Sequence, residues 1–168
     1  MKQISTYIFE HSKNSKFSIL ERLHINKNID NHYYYNYNYH PKTKVELIKI
    51  VDQLIKERGK DADLNDIDTS EITDMYQLFY DSKFNGDISG WNVSNVKDIG
   101  RMFQYSEFTG KNGDISIWDV SNVKNMHCVF YGSKFNGDIS NWDVRNVEDM
   151  EEMFYNSPLE KNPPKWYY

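Results

Sequence analysis

The sequence predicts an α/β repeat solenoid of about four turns, each a short parallel strand plus a short helix, with an N-terminal capping helix. One phrase, NGDIS-x-W-x-V-x-N-V, occurs three times in the second half of the chain. The copies start near Phe84, Asn112 and Phe135. Their tryptophans, Trp91, Trp118 and Trp142, lie 27 and 24 residues apart. Such self-similarity is typical of proteins whose units bury their apolar faces by stacking on one another.

Each copy carries local signals for a strand followed by a helix. The dipeptide Asn85-Gly86 indicates a turn, and the apolar residues after it have the L-x-x-L-x-L spacing that is the strand signature of leucine-rich repeats. A second apolar set recurs at helical spacing: Val96, Ile99, Met102 and Phe103. Stacked strands would then place tryptophan over tryptophan in a leucine-rich-repeat-like core.

The array extends beyond the three obvious copies and has an atypical unit at each end. Residues 63–79 align with residues 114–130, which puts Ile67 at the first tryptophan position. At the other end, residues 159–166 overlay residues 135–142, and Trp166 takes the last tryptophan position. There the Asp-Ile of the repeat is replaced by Pro163-Pro164, which removes backbone donors and discourages a further strand.

The chain divides into three parts by composition and pattern. Residues 1–40 are a basic N-terminal arm with a tyrosine-rich segment, and the alternation in that segment fits either an edge strand or a linker. Residues 41–60 predict the capping helix, with Thr43 and Glu46 as a capping box and Gly59 as its stop. Residues 61–168 form the repeats and the C-terminal cap.

Charge and hydropathy exclude some classes of partner. The net charge of −5 combines +5 over residues 1–60 (11 basic, 6 acidic) with −10 over residues 61–168 (9 basic, 19 acidic). An acidic repeat surface argues against nucleic acid on that face, because phosphate contacts require Lys and Arg. No apolar run is long enough to span a membrane, and the start shows neither a signal peptide nor a lipidation site. The localisation is left open. The protein is expected to be cytoplasmic or virion-associated if it is not exported by an unrecognised route.

No catalytic motif or cofactor site is recognisable, so the chain is expected not to be an enzyme. Cys128 falls at a variable and presumed exposed position of a helix, where His127 beside it would not face it. His32 and His40 alone do not complete a metal site, so none is predicted. The recurring aspartates are interpreted as turn and capping residues rather than calcium ligands.

The residues that vary between repeats are the best candidates for binding a protein partner. All but one flank the tryptophan position on the predicted strand and should point away from the core, as a recognition surface does on a constant scaffold. The exception, Arg145, replaces the serine found at Ser94 and Ser121. The row comprises Asp66, Asp68, Asn92, Ile117, Asp119, Asn141, Asp143 and Arg145. The alternative is that these are ordinary solvated residues.

The motif F-N-G-D-I-S-x-W-D-V-S-N-V-x-x-M-x-x-M-F over residues 62–168 resembles the BspA-like leucine-rich repeat family of bacterial surface proteins, whose repeat also occurs in mycoplasma surface lipoproteins. The resemblance implies a right-handed solenoid and a non-enzymatic role in adhesion or protein recognition. Residues 41–75 also resemble short members encoded by large phages of gut Bacteroidetes. This raises an alternative function, a structural or accessory protein of a phage particle that docks through its N-terminal arm.

Overall fold

A computed structural model describes residues 37–167 of the chain. In this range there is one α-helix, α1 (Lys44–Arg58), and one short 3-10 helix, η1 (Pro158–Lys161). Extended pairing is limited to isolated parallel bridges, and no strand or sheet forms among these residues. The bridges join Tyr39 with Ile67, Asp63 with Asp87, Asp74 with Asp98, Asp98 with Asn125, and Asn125 with Asp149.

The predicted α/β repeat solenoid is therefore wrong, because the repeats contain neither the predicted strand nor the predicted helix. Two positions in each repeat have a positive backbone φ, between 52° and 62°. The first holds Gln77, Arg101, Cys128 and Glu152, and the second, four residues later, holds Asp81, Tyr105, Gly132 and Asn156. A right-handed helix cannot continue through such a residue, so each predicted helical segment is folded into successive turns instead.

The backbone hydrogen bonds show what replaces the helix. In the first repeat, alternate amides donate to the next repeat, as Gln77 N does to Gly100 O (3.0 Å) and Phe79 N to Met102 O (2.9 Å). The amides between them donate three residues back, as Tyr80 N does to Gln77 O (3.1 Å). These three-residue turns keep a period close to that of a helix, which explains why the residues predicted to face the core are still buried.

A column of stacked phenylalanine rings runs through the apolar core, and the predicted stacking of tryptophan on tryptophan is wrong. Each tryptophan ring contacts the last phenylalanine of the preceding repeat, as Trp91 contacts Phe79 at 5.8 Å between ring centroids. Consecutive phenylalanines lie 5.6 to 6.0 Å apart, with their rings within 4° of parallel. This column comprises Phe79, Phe103, Phe130 and Phe154. Aromatic contacts of this kind add stability beyond the area they bury.

Helix α1 is confirmed with its predicted capping box. The Thr43 side chain accepts from the Glu46 amide, the Glu46 carboxylate accepts from the Thr43 amide, and Gly59 ends the helix with φ at +89°. The buried residues of the helix join the same apolar cluster as the repeats; they are Leu47, Val51 and Leu54. Arg58 ties its C-terminal end to the first repeat through Asp66.

The two ends of the described range are each attached to a repeat. Tyr39 forms a parallel bridge with Ile67. Residues 1–36, including His32 and the start of the tyrosine-rich segment, lie outside the described residues. At the C-terminal end, Trp166 and Tyr167 contact Phe154, at 6.2 and 4.8 Å between ring centroids. Within residues 37–167 no helix has the length and apolar character needed to cross a membrane, as predicted for this part.

Candidate functional site

The predicted binding row is partly exposed and partly engaged in contacts within the chain. Its exposed members are Asn92, Ile117, Asp119, Asn141 and Arg145. Its half-buried members are Asp66, Asp68 and Asp143. Whether the row binds a partner stays a prediction.

The aspartates and asparagines that recur in the repeats build turns. At three positions in each repeat, a side-chain oxygen accepts a hydrogen bond from the amide two residues later, at 2.7 to 3.3 Å. These positions hold Asp63, Asp87, Asp114 and Asp138; Asp68, Asn92, Asp119 and Asp143; and Asp74, Asp98, Asn125 and Asp149. The predicted turn role of the recurring aspartates is thus confirmed. Asn92 and Asn125 further show that the amide side chain serves as well as the carboxylate.

Two carboxylates of the predicted row are paired with arginines, so the row is not a continuous acidic surface. Arg145 donates twice to Asp143, at 2.8 and 2.6 Å, and these bonds lower the pKa of Asp143 to about 2. Arg58 donates twice to Asp66 at 2.9 Å, and this pairing lowers the pKa of Asp66. Asp119 has no arginine of this kind and accepts from the amide and hydroxyl of Ser121.

A second surface, which the sequence reasoning missed, is a row of exposed tyrosines. Adjacent rings of this tyrosine row lie 5.9, 5.4 and 4.9 Å apart between centroids. The row comprises Tyr80, Tyr105, Tyr131 and Tyr155. Three of the four side chains are 44 to 51% exposed, and Tyr131 is half-buried between its neighbours. Burial and the nearby Tyr105 raise the pKa of Tyr131.

The position of these tyrosines follows from the buried phenylalanine column. In three repeats the tyrosine directly follows the phenylalanine, and in the second repeat Tyr105 comes one residue later because Gln104 intervenes. The Tyr105 ring reaches the row because it lies over Gly132, where an added Cβ would come within 2.6 Å of the ring. The signal was therefore present as a tyrosine one or two residues after the last phenylalanine of each repeat.

The surroundings of Cys128 differ from the prediction. Its side chain is buried rather than exposed, at 2% of its full accessibility. Its positive φ brings Sγ to 3.3 Å from His127 Nε2, although a helix would have kept these neighbours apart. Burial, together with the nearby Glu152 carboxylate, raises the pKa of the thiol to about 11. A buried thiol that stays protonated at neutral pH is poorly suited to act as a nucleophile.

The described residues contain a group of side chains that could hold a metal ion, where the sequence predicted none. One ligand atom each from His127, Asp149 and Glu151 lies within 4.8 Å of the other two. The three residues are up to 24 positions apart in sequence and meet because consecutive repeats are adjacent. A search for closely spaced ligands in sequence could not have found them.

Comparison with known families agrees with these repeats. A family model described as "Mycoplasma protein of unknown function, DUF285" matches residues 49–166, which is most of the chain. The protein belongs to this family. The match supports, at this coarse level, the link to BspA-like repeat surface proteins, and it does not address a phage origin. No curated protein and no solved structure gives a significant match.

Proposed function

We propose that this protein is a non-enzymatic recognition module that binds a protein partner through the tyrosine row. The observation that carries the proposal is the exposure of Tyr80, Tyr105 and Tyr155, at 44, 46 and 51%, beside a phenylalanine column that is almost completely buried. Exposed contiguous aromatic surface is uncommon and marks interaction sites. Tyrosine is enriched at protein interfaces because it offers a large rigid apolar area with a polar end.

The charge of the chain indicates which partner surface would suit this row. Residues 61–168 carry a net charge of −10, which favours encounter with a basic surface. Arginine suits such a partner because its guanidinium stacks on tyrosine rings and is attracted to nearby carboxylates. The partner surface is therefore proposed to be arginine-rich and partly apolar.

Selection from a random peptide library on the immobilised full chain tests the proposal. Arginine-containing peptides should be enriched on the wild type, and the double variant Tyr80→Gln with Tyr155→Gln should lose at least tenfold in affinity for them. These two rings lie at the ends of the row and have exposed side chains, so their replacement should leave the core intact. Thermal unfolding of the variant checks that it is folded.

A matched variant distinguishes the tyrosine row from the row predicted by the sequence. Asp119→Asn with Asp143→Asn removes two charges but keeps the turns, since Asn92 fills the same position in the second repeat. If this variant loses binding and the tyrosine variant keeps it, the predicted row is the binding surface and the tyrosine row is not. If no peptide is enriched on the wild type, the proposal of protein recognition fails.

A surface adhesin would be a finer assignment of the same module, whereas a structural or accessory protein of a phage particle, docked through its N-terminal arm, is the alternative function. The phage alternative rests on the basic charge of residues 1–60, +5, which suits docking to an acidic particle surface. Mass spectrometry of purified virions would test it if the neighbouring genes are phage-like. Absence of the chain from such particles would leave the recognition module as the function.

A further inference from the structure

The junction between the third and fourth repeats carries a set of side chains that no other junction has. His127 and Glu151 occupy the same position in consecutive repeats, where the two earlier repeats have Tyr76 and Gly100. Asp149 precedes Glu151 by two residues and accepts a turn hydrogen bond from its amide at 3.0 Å. An imidazole and two carboxylates therefore meet only here in the described repeats.

The cysteine beside the imidazole favours one of its two tautomers. The Cys128 thiol donates to Glu152 Oε2 at 3.7 Å, and its sulfur, 3.3 Å from His127 Nε2, is then available to accept from a proton on that nitrogen. A neutral imidazole that carries its proton on Nε2 has a lone pair on Nδ1. Cys128 is thus a positioning residue that presents the Nδ1 lone pair of His127.

That lone pair faces a carboxylate, and two acceptors in this arrangement are satisfied by a proton or by a metal ion between them. Nδ1 of His127 is buried, has no hydrogen-bond partner, and lies 3.6 Å from Oδ1 of Asp149. A buried polar atom without a partner requires an explanation such as an ion. The third group, Glu151, is exposed and free to move toward the other two.

We propose that His127 Nδ1, Asp149 and Glu151 form a binding site for a divalent transition-metal ion of the zinc type. Imidazole and carboxylate together suit Zn²⁺ and its neighbours rather than Ca²⁺ or Mg²⁺, which prefer all-oxygen sites. Three protein ligands leave further positions for water or a partner's side chain. The three ligand atoms now lie within 4.8 Å of one another. Zinc–ligand distances of about 2.0–2.2 Å require the two carboxylates to move inward by roughly 1 Å, which their exposure permits.

The proposed metal site is independent of the proposed protein recognition. The contact of His127 Nε2 with Cys128 corresponds to the hydrogen bond that usually supports the outer nitrogen of a metal-bound histidine. The competing explanation is that His127 is protonated and forms an ion pair with Asp149. These explanations differ in stoichiometric metal binding, which only the metal site predicts.

Titration of the full chain with Zn²⁺ and with Co²⁺, followed by calorimetry and by the visible absorption of Co²⁺, tests the proposal. One ion should bind per chain at this site, with no displacement by millimolar Ca²⁺ or Mg²⁺. His127→Ala and Glu151→Gln should each weaken this binding at least tenfold. The Co²⁺ spectrum of the wild type should lack a thiolate charge-transfer band, because the Cys128 sulfur is not a ligand. The variant Cys128→Ser should keep the stoichiometry of one ion per chain.

A pair of matched variants separates the site from general acidity. Asp149→Asn keeps the turn, as Asn125 does in the third repeat, and should weaken Zn²⁺ binding about tenfold. Asp119→Asn removes one charge from an equivalent turn elsewhere and should leave binding unchanged. Zn²⁺ binding that persists unaltered in His127→Ala, or a wild type that binds no Zn²⁺, overturns the proposal; circular dichroism confirms that each variant is folded.

Discussion

The indole nitrogen of Trp142 donates to the carbonyl oxygen of Ile115, one repeat earlier, at 3.0 Å. The same bond recurs at the other junctions: Trp91 to Leu64, Trp118 to Ile88, and Trp166 to Ile139. Each of these carbonyls also accepts from the backbone amide three residues later, as Ile115 O does from Trp118 N at 3.2 Å, so the indole supplies a second donor from the next repeat. Tryptophan is the aromatic residue here because it fills the core and carries a donor.

Replacement of Trp142 by Phe should therefore destabilise the protein even though an aromatic ring remains. The carbonyl of Ile115 would lose its indole donor but keep the Trp118 amide, which costs about 0.5–1.5 kcal/mol in the free energy of unfolding, with a further loss from the smaller ring. Urea denaturation measures the change. Trp166→Phe is the matched control, because its bond is partly exposed and water can replace the indole. Equal losses in the two variants would contradict this explanation.

Gly86 allows two repeats to approach closely, and its replacement by Ala should be severe. A Cβ at this position would lie 2.0 Å from the carbonyl oxygen of Ala62, which accepts from the Asp87 amide at 2.9 Å. We expect a loss of at least about 1–3 kcal/mol, because backbone rather than a side chain must move.

Gly59→Ala provides the comparison for Gly86. Its Cβ would have no atom within 4 Å, but φ at +89° with ψ at 173° is a conformation that essentially only glycine adopts, and it strains an L-residue by about 1–3 kcal/mol. Thermal unfolding of both variants measures the difference between steric overlap and backbone strain. A larger loss in Gly59→Ala than in Gly86→Ala would show that the close approach is not important.

Helix α1 could be predicted from the sequence because its signals are local. Thr43, Glu46 and Gly59 lie within 17 residues and act through contacts with their own helix. The repeat period and the role of Trp166 at the last tryptophan position were also evident. These features depend only on sequence spacing and side-chain type.

The helix and strand predicted within each repeat were wrong because the deciding contacts are not local. The amides of Gln77 and Phe79 donate to the next repeat, and no residue type signals that choice. The positive φ of Gln77, Arg101 and Cys128 likewise occurs at residues other than glycine, so composition gave no warning. The candidate metal group and the packing of Tyr105 over Gly132 depend on the same contacts between repeats.

Cys128 should be protected from alkylation well above neutral pH. Burial, with a contribution from Glu152, raises the thiol pKa from 9.0 to about 11, so the folded protein retains this proton where the unfolded chain has lost it. The associated stability is fully present below pH 9 and is lost as pH rises through 11. Iodoacetamide labelling followed by mass spectrometry is unambiguous, since the chain has one cysteine.

The unfolded chain in urea is the control for this experiment, and its labelling should rise with a midpoint near the ordinary thiol value. Labelling of the folded protein with that same midpoint would contradict the burial of the thiol. Cys128→Ser should remove all labelling and establish the background.

Gly132→Ala should displace Tyr105 and interrupt the tyrosine row. The new Cβ would lie 2.6 Å from Cδ1 of the ring, which must then move away from its contact with Tyr131. We expect a loss of near-ultraviolet tyrosine dichroism and a loss of peptide binding of at least tenfold. The free energy of unfolding should also fall by about 1–2 kcal/mol, because φ at +62° strains an alanine. Asn156→Ala is the matched control, since Asn156 has φ at 53° in the same repeat position but no such contact with Tyr105. If Asn156→Ala weakens peptide binding as much as Gly132→Ala does, backbone strain rather than the position of Tyr105 determines recognition.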